Sequence, residues 1–362
     1  MKNPKDDGAT LVFPAVNQAA VEYLCAARAR GEQTVCAASV ASDEIGADWG
    51  GMHRLPSIYE DDFPQHFLSL VTVHSVRRLF CPVASVHNFI RRFIAARRLD
   101  IELIGQSPVR QQVEQYRQLM ARARRLLPLV ELCADGAPAL SLLEVAGVLR
   151  QASLIYGESN DDKLAALMGI FANAPAGDVV EIGSLMGRSA VVLLYLAWRY
   201  RIGPLLTIDP WTPGNAIQRD SPDFVQALGN EWDFEVLSEG FFVNMIPFGA
   251  HHHAHVRLAS EDAFKTYTSR KPILSPMGGP IAYSEKIAVI HIDGNHDYDC
   301  AKKDCRLWLN KTLPESWLIL DDYIWSHGEG PHRVGNELLH NQPDRVQCAF
   351  VCGKALFVKL RY

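Results

Sequence analysis

The sequence contains no run of 18 apolar residues, no CxxC pair, no GxGxxG turn and no basic stretch long enough to track a polyanion. The first absence removes the basis for a membrane-spanning helix. The second removes the usual zinc and redox spacings and leaves eight cysteines, most of them in apolar runs, to be read as buried reduced thiols. The third argues against a dinucleotide fingerprint. The fourth, with a formal net charge of -5 over 362 residues, argues against nucleic acid as a partner. The opening MKNPKDDGAT lacks the apolar region of a signal peptide, so a cytoplasmic protein is expected.

What the chain does have is two apolar runs that end abruptly in acid. IAVIHIDGNHDYD, residues 287–299, delivers Asp293 and then His296; WLILDDYIW, residues 317–325, delivers Asp321 and Asp322. Short apolar runs closed by turn residues read as buried strands of a parallel sheet. Ligands of open α/β sheets sit outside the carboxyl ends of such strands. Three carboxylates and an imidazole are therefore expected on one rim. Oxygen-rich sets of this kind suit a hard divalent cation, although aspartates are also common in plain strand-ending turns.

Read in order, residues 1–108 suggest a small Rossmann-like α/β domain. Its expected strands are 11–13, 34–38, 69–73, 79–82 and 101–105, and its expected helices lie near 21–28 and 86–96. Residues 109–158 are charged, periodic and helix-favouring, and are expected to form a helical linker. The arginines 117, 122, 124 and 125 there read as a solvated helix face more readily than as an anion site.

Residues 159–362 are expected to form a second α/β domain. DKLAALMGIFANAP reads as an amphipathic helix, and residues 179–182 as a strand. A glycine turn then leads into a helix carrying Val191, Leu194, Tyr195 and Trp198 on one face. Glu181, Gly183 and Gly187 give ExGxxxG, with Ser184 and Ser189 beside the helix start; such a turn lets a cofactor approach the backbone. The next strand, 205–209, ends in Asp209, where a carboxylate can take ribose hydroxyls. A third strand, 255–259, precedes Ser260, Glu261 and Asp262, which also read as a helix N-cap. HHHAH, residues 251–255, fits no zinc spacing and reads as a connecting loop. Residues 269–285, rich in Gly, Pro and Ser, read as a long loop or lid. Two β-rich runs about Gly353 read as a closing antiparallel hairpin.

Taken together, ExGxxxG, EIGSLMGRS, LTIDPW, HIDGNHDY and ILDDYIW in this order resemble the class I, S-adenosylmethionine-dependent and metal-dependent sugar O-methyltransferases of the macrocin and mycinamicin type, and the related cephalosporin-hydroxylase-like proteins. The resemblance spans roughly residues 160–362. It implies a Rossmann-like seven-stranded sheet with a terminal antiparallel hairpin. It implies S-adenosylmethionine held by Glu181, Gly183, Ser184, Gly187, Ser189, Asp209, Ser260, Glu261 and Asp293. It further implies Mg²⁺ on Asp293, Asp321 and Asp322, and His296 as general base. Glu261 and Asp262 are candidates for a further ligand. The acceptor it implies is a small molecule bearing a hydroxyl, sugar-containing. Apart from the resemblance, Tyr298, Trp325 and Arg333 are candidates to line a polar, sugar-sized pocket, although Tyr298 reads equally as a packing residue. A phenolic, lipid or polysaccharide hydroxyl, and a scaffold without turnover, are the competing readings; a homo-oligomer is compatible with either. The first hundred residues loosely resemble the nucleotide-fold domain that precedes ATP-grasp domains, and are expected to serve a structural or oligomerisation role.

Overall fold

The structure, a computed structural model, describes residues 8–40, 51–249, 252–275 and 278–361. The chain divides into two compact units, Met1–Gln118 and Leu119–Tyr362. A helix, Pro108–Cys133, runs across the division.

The first unit is a five-stranded parallel sheet in the order β3-β2-β1-β4-β5. Its strands are β1 (Ala9–Val12), β2 (Thr34–Ala38), β3 (Met52–Arg54), β4 (Val76–Phe80) and β5 (Glu102–Ile104). Parallel pairing needs crossovers, and the helices Gln18–Ala29, Phe63–Val73 and Ala84–Arg97 supply three of them. The apolar run at 69–73, expected as a strand, is the end of the helix Phe63–Val73. Phe63 and Phe67, one helical turn apart, are fully buried against Phe13 and Phe93, and that face outweighs the β-branched tail. Strand β4 consequently starts at Val76, ahead of the expected 79–82.

The second unit carries a seven-stranded sheet in the order β13-β14-β12-β11-β6-β7-β8. The strands are β6 (Asp178–Ile182), β7 (Leu205–Ile208), β8 (His253–Val256), β11 (Ile287–Ile292), β12 (Thr312–Leu320), β13 (Val346–Cys352) and β14 (Ala355–Leu360). A separate antiparallel pair, β9 (Ile273–Ser275) and β10 (Gly279–Ile281), occupies part of the stretch expected as a long loop or lid. Strand β14 runs antiparallel between β12 and β13, and the remaining pairings are parallel. This is the seven-stranded sheet with a closing antiparallel hairpin that the sequence resemblance implied.

Alternate residues of these strands feed two cores. Val179, Leu205, Val289, Ile319 and Phe357 enter one core, whereas Val180, Leu206, Ile290, Leu318 and Val358 enter the other. Burying each such side chain is worth about 1.5–3 kcal/mol. The first core also takes Ala123, Leu126 and Val130 and, from Leu142–Ser153, Val145 and Leu149. The stretch expected as a linker is thus packed into the second unit from Leu119 onward.

Three local readings differ from expectation. The helix Asp161–Ile170 is buried on every side beyond its first two residues rather than amphipathic. The run HHHAH is not a loop throughout: His253 and His255 lie within β8 and are buried, and that strand is offset from the expected 255–259. His251 lies outside the described residues. The cysteines are all free, but Cys25, Cys300 and Cys348 are exposed and only Cys36, Cys81 and Cys305 are buried.

Candidate active site

The rim is built by residues that extend each strand by one hydrogen bond. The amide of Gly183 donates to Ile208, that of Asp293 to Ile182 and that of Asp321 to Ile292, at 2.8, 2.8 and 2.9 Å. Three strand ends are thereby placed in register. Gly183 has φ +81°, and a Cβ there would stand 1.9 Å from the Asp293 carbonyl oxygen. Only glycine permits this approach, which fastens the glycine turn to the first acid. Asp322 has φ +48°. That left-handed residue breaks the alternation of a strand, so two consecutive carboxylates face the same cluster.

Within the cluster, His296 Nε2 lies 3.2 Å from Asp322 Oδ2 and 4.0 Å from Asp293 Oδ1. His296 Nδ1 is buried and has no partner. Burial works against a charged imidazole, but the carboxylates of Asp293, Asp322 and Asp321 outweigh it and raise the His296 pKa. Trp325 meets the His296 ring edge-on at 4.6 Å. The ammonium of Lys163, buried, lies 3.4 Å from Asp293 Oδ2 and is in direct contact with Asp321 Oδ2. Burial alone would discharge it; Asp293 and Asp321 more than offset this, and its pKa stands raised. Against its own burial, Asp293 is held well below the usual carboxylate range by Lys163, whereas burial and the neighbouring Asp293 push Asp321 up to about 6. Lys354, from the β13–β14 turn, reaches Asp322 Oδ1 at 2.9 Å. His291, inside β11, joins Glu181 Oε1 through Nδ1 at 3.0 Å and lies 3.8 Å from Asp293 through Nε2.

Among the described residues, two sets of ligand atoms converge closely enough to hold a metal: His291, Asp293 and Asp321, and Asp293, His296 and Asp322. Asp293 is common to both, Asp321 and Asp322 fall in different sets, and each set adds one histidine nitrogen. The carboxylates fit a hard divalent cation, and the buried Oδ1 of Asp321 has no hydrogen-bond partner. Glu261 and Asp262 belong to neither set. They are exposed on the helix Ser260–Tyr267 and pair with Lys303 and Lys265.

The glycine turn is held by Asp209. Its Oδ2 accepts the amides of Ser184 and Leu185, both at 3.0 Å, and its Oδ1 accepts that of Trp211 at 2.9 Å. Burial raises its pKa against these three amides. A carboxylate offers about four acceptor positions, so roughly one remains on Oδ1, fewer than two ribose hydroxyls would use. The Ser184 hydroxyl is buried without a partner. Gly187, at φ +90°, is the N-cap of the helix Arg188–Arg199, and Ser189 is buried in that helix's first turn. Ser260 is turned elsewhere: Ala259 is the N-cap, and the Ser260 hydroxyl accepts Trp308 Nε1 at 2.9 Å.

A polar cleft of about 290 Å³ lies next to the His296 turn, lined by Asp220, Tyr298, Gly328, Glu329, Gly330 and Arg333. Gly330 touches the backbone of that turn, since a Cβ on it would stand 2.0 Å from the His296 carbonyl oxygen. The Arg333 guanidinium stacks on the Tyr298 ring at 3.8 Å. The segment before helix Asp223–Leu228 is tied to the same turn: Asn295 donates to the carbonyls of Asn215 and Ile217, and Asp297 accepts the amides of Arg219 and Asp220.

Sequence reasoning missed Lys163, His291, Asn295 and Asp297. His291 did leave a signal, a lone polar residue inside an apolar run.

Residues 180–323 match a family described as a methyltransferase domain. No curated protein matches the chain. Among solved structures, the chain is similar to the O-methyltransferase NovP, at 12% identity and a TM-score of 0.40, over 67% of this chain and 100% of that one. It is similar to the O-methyltransferase TomG from Streptomyces achromogenes, in complex with SAM, at 16% identity and a TM-score of 0.34, over 62% and 82%. It is similar to MycE methyltransferase of the mycinamycin biosynthetic pathway, in complex with Mg, SAH and mycinamycin VI, at 12% identity and a TM-score of 0.29, over 51% and 45%. Among the described residues, no helix is long and apolar enough to cross a membrane.

Proposed function

We propose that this chain, whose second unit carries a methyltransferase domain, transfers a methyl group from S-adenosylmethionine to a hydroxyl of a sugar or glycosylated natural product. The observation that carries the proposal is the contact of Gly183 with Asp293, which joins a cofactor-type glycine turn to an acid cluster on one rim. Methyl transfer needs donor sulfur, methyl carbon and acceptor oxygen in line, so donor and acceptor sites must adjoin.

In this reading the turn from Gly183 to Gly187 and the buried Ser184 hydroxyl face the cofactor, and Asp209 takes one ribose hydroxyl on its remaining acceptor position. Asp293, Asp321 and Asp322 would hold a divalent cation such as Mg²⁺. Bound there, the cation supplies Lewis acidity that favours the alkoxide form of an acceptor hydroxyl. In its neutral form, with Nε2–H turned to Asp322, His296 would present Nδ1 as the lone pair that receives the hydroxyl proton. The sulfonium–methyl bond breaks as the methyl–oxygen bond forms, leaving neutral S-adenosylhomocysteine. The cleft of acids, Arg333 and Tyr298 favours a polyhydroxylated acceptor over a flat phenol, because it offers donors and acceptors rather than an apolar slot.

Titration calorimetry with S-adenosylmethionine, with and without Mg²⁺, tests this. Binding of the cofactor, followed by Mg²⁺-dependent transfer of labelled methyl to a glycosylated acceptor, is the expected outcome. Absence of cofactor binding in both conditions contradicts the reading.

A further inference from the structure

We propose that Lys163 is a tethered counter-cation that sets how tightly the acid cluster holds a divalent ion. The inference rests on the metal reading above and adds a residue to it.

The observations concern which oxygen goes where. Lys163 takes Oδ2 of Asp293 and Oδ2 of Asp321. Lys354 takes Oδ1 of Asp322. His296 Nε2 faces the other oxygen of Asp322, Oδ2, at 3.2 Å. What Lys163 leaves is Asp293 Oδ1, 4.0 Å from His296 Nε2, and Asp321 Oδ1, which is buried with no hydrogen-bond partner. Lys163 thus engages one oxygen of Asp293 and one of Asp321 and leaves the other oxygen of each, and these two residues fall together in one of the candidate ligand sets. A cation that bound the remaining oxygens would find its ligands already oriented.

The placement of Lys163 is not that of a surface lysine caught in passing. Its side chain is 2% exposed, on a helix buried on every side beyond its first turn. The helix N-cap, Asn160, accepts the Lys163 amide at 2.9 Å, which fixes where the side chain departs. Lysine is almost never fully buried unless paired, and here the partners are two of the three proposed metal ligands. An ammonium in contact with those ligands also repels a divalent ion beside them. It keeps the carboxylates apart and ordered without the ion, and it weakens the ion's hold. Removing the positive charge while keeping the bulk should therefore tighten ion binding, whereas a purely structural ion pair would loosen it on removal.

The test uses the full chain and Mn²⁺ as a paramagnetic probe of the site, titrated by electron paramagnetic resonance against wild type, Lys163→Met and Lys163→Arg. Lys163→Met is expected to bind Mn²⁺ at least tenfold more tightly than wild type, and Lys163→Arg, which keeps the charge, within about threefold of it. If Lys163→Met folds poorly alone, Mn²⁺ in the refolding buffer is expected to restore the wild-type circular dichroism spectrum, because the ion then replaces the missing charge. Equal or weaker Mn²⁺ binding by folded Lys163→Met overturns the inference, as does a misfolded variant that Mn²⁺ does not rescue. A wild-type chain that binds no Mn²⁺ removes the metal reading itself, and the inference with it; wild-type binding with an unaltered Lys163→Met affinity removes the inference alone.

Discussion

Gly183 and Asp293 stand so close that no side chain fits between them: a Cβ on the glycine would lie 1.9 Å from the aspartate's carbonyl oxygen. The glycine is also at φ +81°. Gly183→Ala therefore combines backbone strain with a clash that neither strand end can relieve without leaving register. A loss of about 2–4 kcal/mol of stability is expected, from a left-handed non-glycine residue plus overpacking. Chemical denaturation measures it, and a variant as stable as wild type would mean that the turn and the acid rim are not fastened here.

His296 is the proton acceptor in the proposed chemistry, and its unpartnered Nδ1 is the atom concerned. His296→Ala should bind S-adenosylmethionine with unchanged affinity while the transfer rate falls by about 10²–10⁴, the usual worth of a positioned general base. Calorimetry for binding and single-turnover transfer of labelled methyl separate the two effects. Normal turnover in the variant would remove His296 from this role.

Asp321 has one oxygen against Lys163 and one buried and free. Asp321→Asn keeps the shape but removes a charged ligand. The Mg²⁺ concentration that gives half-maximal transfer should rise at least tenfold, about 1.4 kcal/mol of lost binding. An unchanged Mg²⁺ requirement would count against a cation at this position.

Histidines 253 and 255 predict acid sensitivity away from the chemistry. Both lie inside β8 and share the Thr207 hydroxyl, at 2.7 and 2.9 Å. Burial depresses both pKa values to about 3. An unfolded chain protonates histidine near pH 6.5, so the folded state binds fewer protons below that pH. The stability they confer is complete above about pH 6.5 and falls as pH drops toward 3, by about 1.4 kcal/mol per pH unit for each histidine. Replacing either with an uncharged residue should flatten the acid limb of stability against pH. A slope unaltered in both single variants would show that neither is kept neutral.

The rim was legible in the sequence because its signals are local. An apolar strand that ends in acid announces Asp293 and Asp321 whatever the tertiary packing, and glycines at 183 and 187 mark a turn that no other residue permits. The seven-stranded sheet with a final hairpin was implied by the resemblance that the ordered motifs carry, and the structure has it. What was hidden depends on contacts distant in sequence. Lys163 meets Asp293 across 130 positions and Asp321 across 158, and nothing in DDKLAALMGI tells which way a lysine on a fully buried helix points. Ser260 and Glu261 stood at a plausible distance from the turn, but Trp308 and Lys303, both from the helix Tyr298–Trp308, draw them away. The run 69–73 misled because its β-branched residues sit in the last turn of a helix whose buried face lies upstream, at Phe63 and Phe67.

One measurement asks directly whether cofactor and cation share the rim, and it needs no acceptor. The S-methyl proton resonance of S-adenosylmethionine is followed by NMR in the presence of the full chain as Mn²⁺ is added. If the glycine turn and the acid cluster form a single site, Mn²⁺ broadens that resonance strongly, and Asp321→Asn, which alters a metal ligand outside the cofactor set, largely abolishes the broadening. Saturating Mn²⁺ that leaves the methyl resonance of bound cofactor sharp would contradict a shared site.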